Sequence, residues 1–234
     1  MMMQPSGSTD RFDEFAGSYD SALAQGLAST GEDREFFAQG RVQWLRRCLA
    51  KLDVTPQAVM EFGCGTGANL PLLREIAARP VLGIEVSEKS IAVARNRISG
   101  SLAQLVRPSD YKPGADLDLA FCNGVFHHIA PAERGSALEY IRDCLRPGGL
   151  FALWENNRWN PGTRWVMRRI PFDRDAVMLR AAEARHLLEV ARFRVLRTDY
   201  LFIFPHIMRR LRPLEPSLSG LPLGGQYQVL AVKS

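Results

Sequence analysis

The chain has no apolar run long enough to cross a bilayer. Its first residues, Met1-Met2-Met3-Gln4-Pro5-Ser6-Gly7-Ser8, lack the basic end and apolar segment of a secretory signal and read as a loose tail. Cysteine is scarce. Cys48, Cys64, Cys122 and Cys144 share no metal-ligand spacing, which argues against a zinc site and for reduced, mostly buried thiols of a cytoplasmic protein. Internal repeats and low-complexity segments are absent. Lysine is missing between Asn156 and Arg212, where 13 Arg face 5 acids, a local excess of +8 within a net charge of +5. A basic C-terminal half suits an anionic substrate, a phospholipid surface or nucleic acid; it also suits a plainly solvated face. What is present is ordinary for a globular protein: 46% apolar and 24% charged residues in 234, enough for one domain with insertions.

From Gln57 onward, short apolar runs alternate with amphipathic stretches of helical length. The pattern predicts strands over 57–62, 80–85, 103–107, 117–122 and 149–154. It predicts helices over 68–78, 88–98 and 131–145, the last closed by Arg146-Pro147-Gly148-Gly149. Such alternation calls for parallel strands with right-handed crossovers, hence an α/β fold with a doubly wound sheet. Ahead of the sheet, 11–52 reads as helical with a break at Ser29-Thr30-Gly31, and Asp33 with Glu32 and Arg34 opens the second helix. Phe36, Phe37, Val42, Trp44, Leu45 and Leu49 mark its buried stripe. Behind the fifth strand, 156–175 is rich in Trp, Arg and Pro without a regular period. A helix near 176–191, a strand near 193–200, a Pro-punctuated segment 201–224 and a strand near 226–232 follow. The expected organisation is a tail and helical lid over 1–56 and a binding domain over 57–234, with cap-forming insertions at about 156–180 and 201–224.

The most informative stretch is Val59-Met60-Glu61-Phe62-Gly63-Cys64-Gly65-Thr66-Gly67-Ala68-Asn69-Leu70. Glycines at alternate positions after a strand let backbone press against a ligand, and the helix start offers N–H groups to an anion. The G-x-G-x-G spacing is tighter than the dinucleotide fingerprint. With an acid two positions before the first glycine, it resembles motif I of the class I S-adenosylmethionine (SAM)-dependent methyltransferases, Glu61 standing for the commoner aspartate. The resemblance covers roughly 57–154, and the flanks are more weakly similar to bacterial small-molecule enzymes of that family. It implies a Rossmann-like, mostly parallel seven-stranded sheet ending in an antiparallel hairpin, with SAM as cofactor.

By the same resemblance, Glu61, Gly63 and Gly65 line the amino-acid end of SAM, with Cys64 beside them. Glu85, followed by Val86 at the end of the second strand, is placed to accept from both ribose hydroxyls. Asp110, with Tyr111, matches the acid that meets the adenine amine. Asn123-Gly124-Val125-Phe126-His127-His128 resembles motif IV, where Asn123 and Gly124 meet the cofactor and later residues face the methyl group. Tyr19, in Tyr19-Asp20, resembles an element that folds over SAM. Plainer readings exist: Glu85 as an acidic first-turn residue, Asp110 as a turn aspartate, Tyr19 as a packing aromatic.

Methyl transfer from a sulfonium needs alignment, exclusion of water and, for a hydroxyl acceptor, a base. His128 or His127 is the candidate base, since neutral imidazole titrates near pH 7; adjacent in sequence, they are expected to point different ways. Glu155, expected just beyond the fifth strand, is the alternative base. His206 could approach from the cap and His186 belongs on the surface. No metal is expected. Segments Trp159–Ile170 and Phe202–Leu214 mix apolar and guanidinium groups, as suits a phosphorylated acceptor, a membrane interface or a cap packed on the sheet. The expected acceptor is a small molecule, anionic or lipid-linked, methylated at oxygen, with peripheral rather than inserted membrane contact. Asn123-Gly124-Val125-Phe126 departs from the Asn/Asp-Pro-Pro-Tyr/Phe of enzymes that methylate exocyclic amines of nucleic acid. RNA methylation and non-catalytic SAM binding are the rival readings.

Overall fold

Strands β1 (Val59–Phe62), β2 (Val81–Ile84), β3 (Ala103–Val106), β4 (Leu117–Asn123), β5 (Leu145–Asn156), β6 (Phe193–Leu201) and β7 (Gln226–Lys233) form one sheet in the order β3-β2-β1-β4-β5-β7-β6. The computed structural model describes residues 19–173 and 176–234, and only the backbone of Tyr19, Asp20, Ser29 and Phe172. The expected tail and the first part of the helical start lie outside the described residues. Strands β1 to β5 run parallel, and β7 lies antiparallel between β5 and β6. Strand order reverses between β1 and β4, so the carboxyl ends of those strands bound the crevice where open α/β sheets bind ligands.

Both faces of the sheet are covered, which is why its central strands are nearly continuous in apolar residues. One face packs Met60, Ile84, Ala120 and Phe151 against Leu138 and Ile141 of α5 (Arg134–Cys144) and Ala184 and Leu188 of α7 (Ala181–Val190). The other packs Val59, Phe121 and Trp154 against Val42, Leu45 and Leu49 of α2 (Arg34–Lys51), which follows α1 (Tyr19–Leu27). Asp33 caps α2 by accepting from Phe36 N at 2.8 Å. Among the described residues, no helix is long and apolar enough to cross a membrane.

Several boundaries differ from expectation for identifiable reasons. The helix expected over 68–78 is reduced to α3 (Leu70–Arg74): Gly67 at positive φ keeps the chain in a loop up to its start, and beyond its end Ile76 N and Ala77 N donate to Leu73 O and Arg74 O in a turn. Strand β5 starts at Leu145 instead of 149: Leu145 pairs with Leu117, and the Pro-Gly-Gly run forms an irregularity inside the strand. Glu155 therefore sits within β5. Of the sequence's aperiodic segment, Pro161–Met167 is helical (α6), started by Asn160 accepting from Thr163 N at 3.0 Å. Phe36 and Phe37 are only half-buried; both pack on Phe202, with ring centroids 5.9 and 5.0 Å away.

The helix expected from 176 begins at Ala181, because 176–180 is held extended. Val177 N donates to His127 O at 2.8 Å. Arg134, only 1% exposed, donates from Nη2 to Val177 O at 2.7 Å and from Nε to Phe126 O and Ile129 O, each at 3.1 Å. That guanidinium joins the turn after β4 to the segment before α7. Arg134→Ala strands three carbonyls and should lower the unfolding free energy by about 3 kcal/mol in urea denaturation; a loss below about 1 kcal/mol would mean that water replaces the guanidinium.

Candidate active site

A cavity of about 460 Å³ opens at the carboxyl ends of β1 and β4. Its floor includes Glu61, Gly63, Cys64, Gly65, Asn123 and Gly124, and His127, His128 and Asp173 line one side. Apolar groups from α1, α2 and the two insertions, Leu27, Phe36, Phe37, Trp165, Phe202 and Phe204 among them, enclose the rest.

The glycine loop fits the role read from its spacing. A Cβ on Gly63 would meet Val125 Cγ2 at 2.3 Å, whereas at Gly65 nothing lies within 4 Å. Gly65 therefore presents bare backbone to open space, at φ 52°. Gly63 N and Cys64 N both donate to Ile84 O, at 2.8 and 3.0 Å. Glu85 holds the loop from below: it accepts from Gly65 N and Val86 N at 2.8 Å and Ser87 N at 2.9 Å. It is 8% exposed and does not line the cavity. The carboxylate expected to meet a ribose is thus engaged by backbone, and a ribose would have to share it with Gly65 N–H.

Glu61 is 1% exposed at the end of β1. Its Oε1 accepts from Asn69 Nδ2 at 2.6 Å, and Arg41 Nη2 donates to Asn69 Oδ1 at 3.4 Å. Its Oε2 is buried with no hydrogen-bond partner among the described residues. Burial pushes this carboxyl up from 4.5 to about 8, against the Asn69 hydrogen bond and the charges of Arg41 and Arg34. A ligand ammonium would complete such a group, and the amino-acid end of SAM carries one.

The two histidines do not diverge as expected. Residues 125–128 form a turn, with His128 N donating to Val125 O at 2.9 Å, so side chains do not alternate as in a strand. Their rings lie 4.1 Å apart, and His127 Nε2 and His128 Nε2 approach Asp173 Oδ1 at 3.5 and 3.2 Å. Behind them, Glu155 Oε2 lies 2.6 Å from His127 Nδ1, while its Oε1 accepts from Phe126 N at 2.8 Å. Both Glu155 oxygens are thus engaged, and the residue does not line the cavity.

Burial works to lower the His127 value, but Glu155 and Asp173 on either side push it up to about 10. Burial tends to raise Asp173, yet the two imidazoles bring it down to about 2. His128 is held below 6.5 by burial and by the charge on His127, against the pull of Asp173. At neutral pH this describes a His127 imidazolium, an ionised Asp173 and a neutral His128. His127, His128 and Asp173 place donor atoms within 4.8 Å of one another, close enough for a metal ion. A cation there would have to displace the proton that the two carboxylates hold on His127.

The cavity therefore gathers Glu61, Gly63, Cys64, Gly65, Asn123, Gly124, His127 and His128 and leaves out Glu85, Val86, Asp110, Tyr111 and Glu155. Asp110 is exposed, accepting from Ser109 Oγ at 2.8 Å, and Tyr111 packs against the core. The side chain of Tyr19 lies outside the described residues, its backbone opening α1. His206 lies 2.8 Å from Glu32 in the cap, and His186 is exposed. Asp173 was missed because its surroundings in sequence have no period or motif. Asn69 was visible beside the glycine loop but unassigned.

Glu61 also makes stability depend on pH. Its carboxyl loses its proton near 4.5 in the unfolded chain and near 8 in the folded one, so folding retains a proton between those values. Ligand-free protein should lose stability as pH rises through that window, and Glu61→Gln should flatten the loss in thermal melts across pH. Parallel wild-type and variant curves would show that Glu61 ionises normally in the fold.

Comparison with known proteins agrees with this geometry. Residues 60–151 match a methyltransferase-domain family model. A Mycolicibacterium smegmatis protein named as a probable S-adenosylmethionine-dependent methyltransferase is 30% identical over 210 residues, covering 80% of this chain and 73% of that protein. The trans-aconitate 2-methyltransferase of Methylobacterium nodulans is 27% identical over 161 residues, covering 67% of this chain and 61% of that protein. Among solved structures, the magnesium protoporphyrin IX methyltransferase of Synechocystis PCC 6803, with SAH bound, superposes with a TM-score of 0.65 at 16% identity, covering 97% and 98% of the two chains. On the strength of the glycine loop, the sheet order and these relatives, the chain belongs to the class I SAM-dependent methyltransferases.

Proposed function

We propose that this SAM-dependent methyltransferase methylates an oxygen of a small-molecule acceptor with an apolar body, using His128 as base and Asp173 to position it. The observation that carries this reading is His128 Nε2 3.2 Å from Asp173 Oδ1, with His128 held below its usual value by burial and the charge on His127, and both residues lining the cavity that Gly124 also lines. When bound, SAM supplies a methyl group on a cationic sulfur. The chain's residues do the rest. Glu61 Oε2 would take the ammonium of the amino-acid end, Gly65 would let the backbone approach, and Glu85, which keeps the loop in shape, would accept from the ribose. Arg34, Arg41 and Arg212 line the same cavity and accommodate a carboxylate, of the cofactor or of an acidic acceptor.

Asp173 favours the His128 tautomer with hydrogen on Nε2, which makes Nδ1 the basic nitrogen. While SAM would supply the methyl group, His128 would take the hydroxyl proton of the acceptor. Phe36, Phe37, Phe202 and Phe204 exclude water and hold the acceptor's apolar part. His127 acts through its charge instead. Trapped between Glu155 and Asp173, that charge lowers the proton affinity of its neighbour.

His128→Ala should reduce kcat by about 10²–10⁴-fold while leaving SAM affinity unchanged. In the wild type with SAM saturating, kcat/KM for the acceptor should rise with pH through a midpoint below 6.5 and then level off, because the base works only when deprotonated. Asp173→Asn removes the charge that raises His128 and should shift that limb to lower pH. Full turnover by His128→Ala would dismiss the base. For the cofactor, Glu85→Ala should weaken SAM binding in calorimetry by about 1.5–3 kcal/mol, the loss of a hydrogen bond to a charged group; unchanged affinity would remove Glu85 from the site.

A further inference from the structure

The cap turns Arg212 inward yet exposes a row of apolar side chains beside Arg209 and Arg210, the reverse of an ordinary surface turn. In the 3₁₀ segment His206–Leu214, Arg212 Nη2 donates to Glu32 Oε1 at 2.6 Å and Arg212 Nε to Phe204 O at 3.1 Å. His206 Nδ1 lies 2.8 Å from the same Glu32 oxygen. Facing solvent are Ile207, 90% exposed, Leu214 at 54%, Met208 at 42% and Leu211 at 40%. Residues three apart stand in line along a 3₁₀ helix, so Leu211 and Leu214 form a ridge; Met208 and Ile207 extend it past a kink at Met208.

The neighbouring insertion continues this character. Asn160 Nδ2 donates to Leu223 O at 2.9 Å and Asn157 Nδ2 to Pro222 O at 3.1 Å, so the loop carrying exposed Trp159 adjoins the one carrying exposed Leu221 and Leu223. Among the described residues, exposed charge on the two insertions has one sign. Arg158, Arg164, Arg168, Arg169, Arg209 and Arg210 are exposed, and 156–172 and 201–214 contain no acid. Glu215, which follows, is buried and accepts from Phe202 N and Phe204 N at 3.1 and 3.0 Å.

We propose that these insertions form an interfacial docking face that binds the protein reversibly to an anionic phospholipid surface. Ridge side chains enter the acyl boundary while the arginines meet phosphate groups. The apolar groups are exposed along the 3₁₀ segment and on the adjoining loops, which suits a deformable surface that supplies both hydrocarbon and negative charge. Trp165, with Arg169 3.3 Å above its ring, lines the cavity from the same insertion. Docking thus places one cavity wall beside the lipid, a route for apolar acceptors. That consequence rests on the methyl-transfer reading; the docking does not.

Co-sedimentation of the full chain with phosphatidylglycerol and with phosphatidylcholine vesicles tests the proposal. The expected result is binding to phosphatidylglycerol alone, weakened by added salt. Binding should fall about tenfold or more in the triple variant I207S/M208S/L211S and, through charge alone, in R168A/R210A. Absence of binding to phosphatidylglycerol, equal binding to both lipids, or affinity unchanged by both variants would overturn it. So would a dimer in light scattering that the triple variant dissociates while vesicles are ignored, since the face would then join two copies of the chain. None of these readouts needs methyl transfer, so the docking and the chemistry stand or fall separately.

Discussion

A buried carboxylate at the end of β2 sets the shape of the loop on which the cofactor site depends. Polar backbone emerges there at the carboxyl edge of the sheet, where no strand partner exists for its N–H groups. Glu85 supplies acceptors for Gly65, Val86 and Ser87, and the Ile84 carbonyl takes Gly63 and Cys64. The glycines permit the positive φ values, but these acceptors select the one loop that presents Gly65 to the cavity. Glu155 repeats the device across the sheet, where it holds Phe126 N and fixes the turn that carries both histidines.

Electrostatics in the cavity follow from how those carboxylates are shared. Two buried acids surround His127 and keep it protonated, and that positive charge sits 4.1 Å, ring to ring, from His128. An imidazolium used in this way is a fixed charge. It lets a neighbouring histidine stay neutral in spite of Asp173, and it balances acids that would otherwise be costly to bury. Across the cavity, Glu61 keeps a buried oxygen without a donor among the described residues, and burial raises its carboxyl to about 8. The two ends of the site therefore differ in kind: at one the carboxylates meet imidazoles, at the other a carboxyl oxygen has no donor.

The insertions after β5 and β6 close the cavity with one side and face solvent with the other. Phe202 packs on Phe36 and Phe37 of α2, which draws α2 and the segment after β6 into a common apolar wall. The arginines that the sequence concentrates here divide accordingly. Arg212 is turned inward to Glu32 and lies 4.4 Å from the Phe36 ring, while Arg209 and Arg210 remain exposed beside Ile207 and Leu211.

The sheet, its parallel core and the glycine loop were legible in the sequence, because strand burial and loop conformation impose local rules: apolar runs of fixed length, and glycine where φ is positive. The place of Glu61 on the cavity was legible for the same reason, two residues before the glycine loop. What sequence could not reveal is which distant groups meet. Asp173 reaches His128 from a segment 45 positions onward, since Val177 and Arg134 pin that segment to the β4 turn. Glu85 and Glu155 were read as ligand-facing acids; that each also holds backbone N–H groups only the tertiary structure shows. Identity and spacing determine what a residue can donate or accept; only the packed chain decides which partner stands within about 3 Å, because hydrogen bonds and charge act over distances that the sequence does not encode.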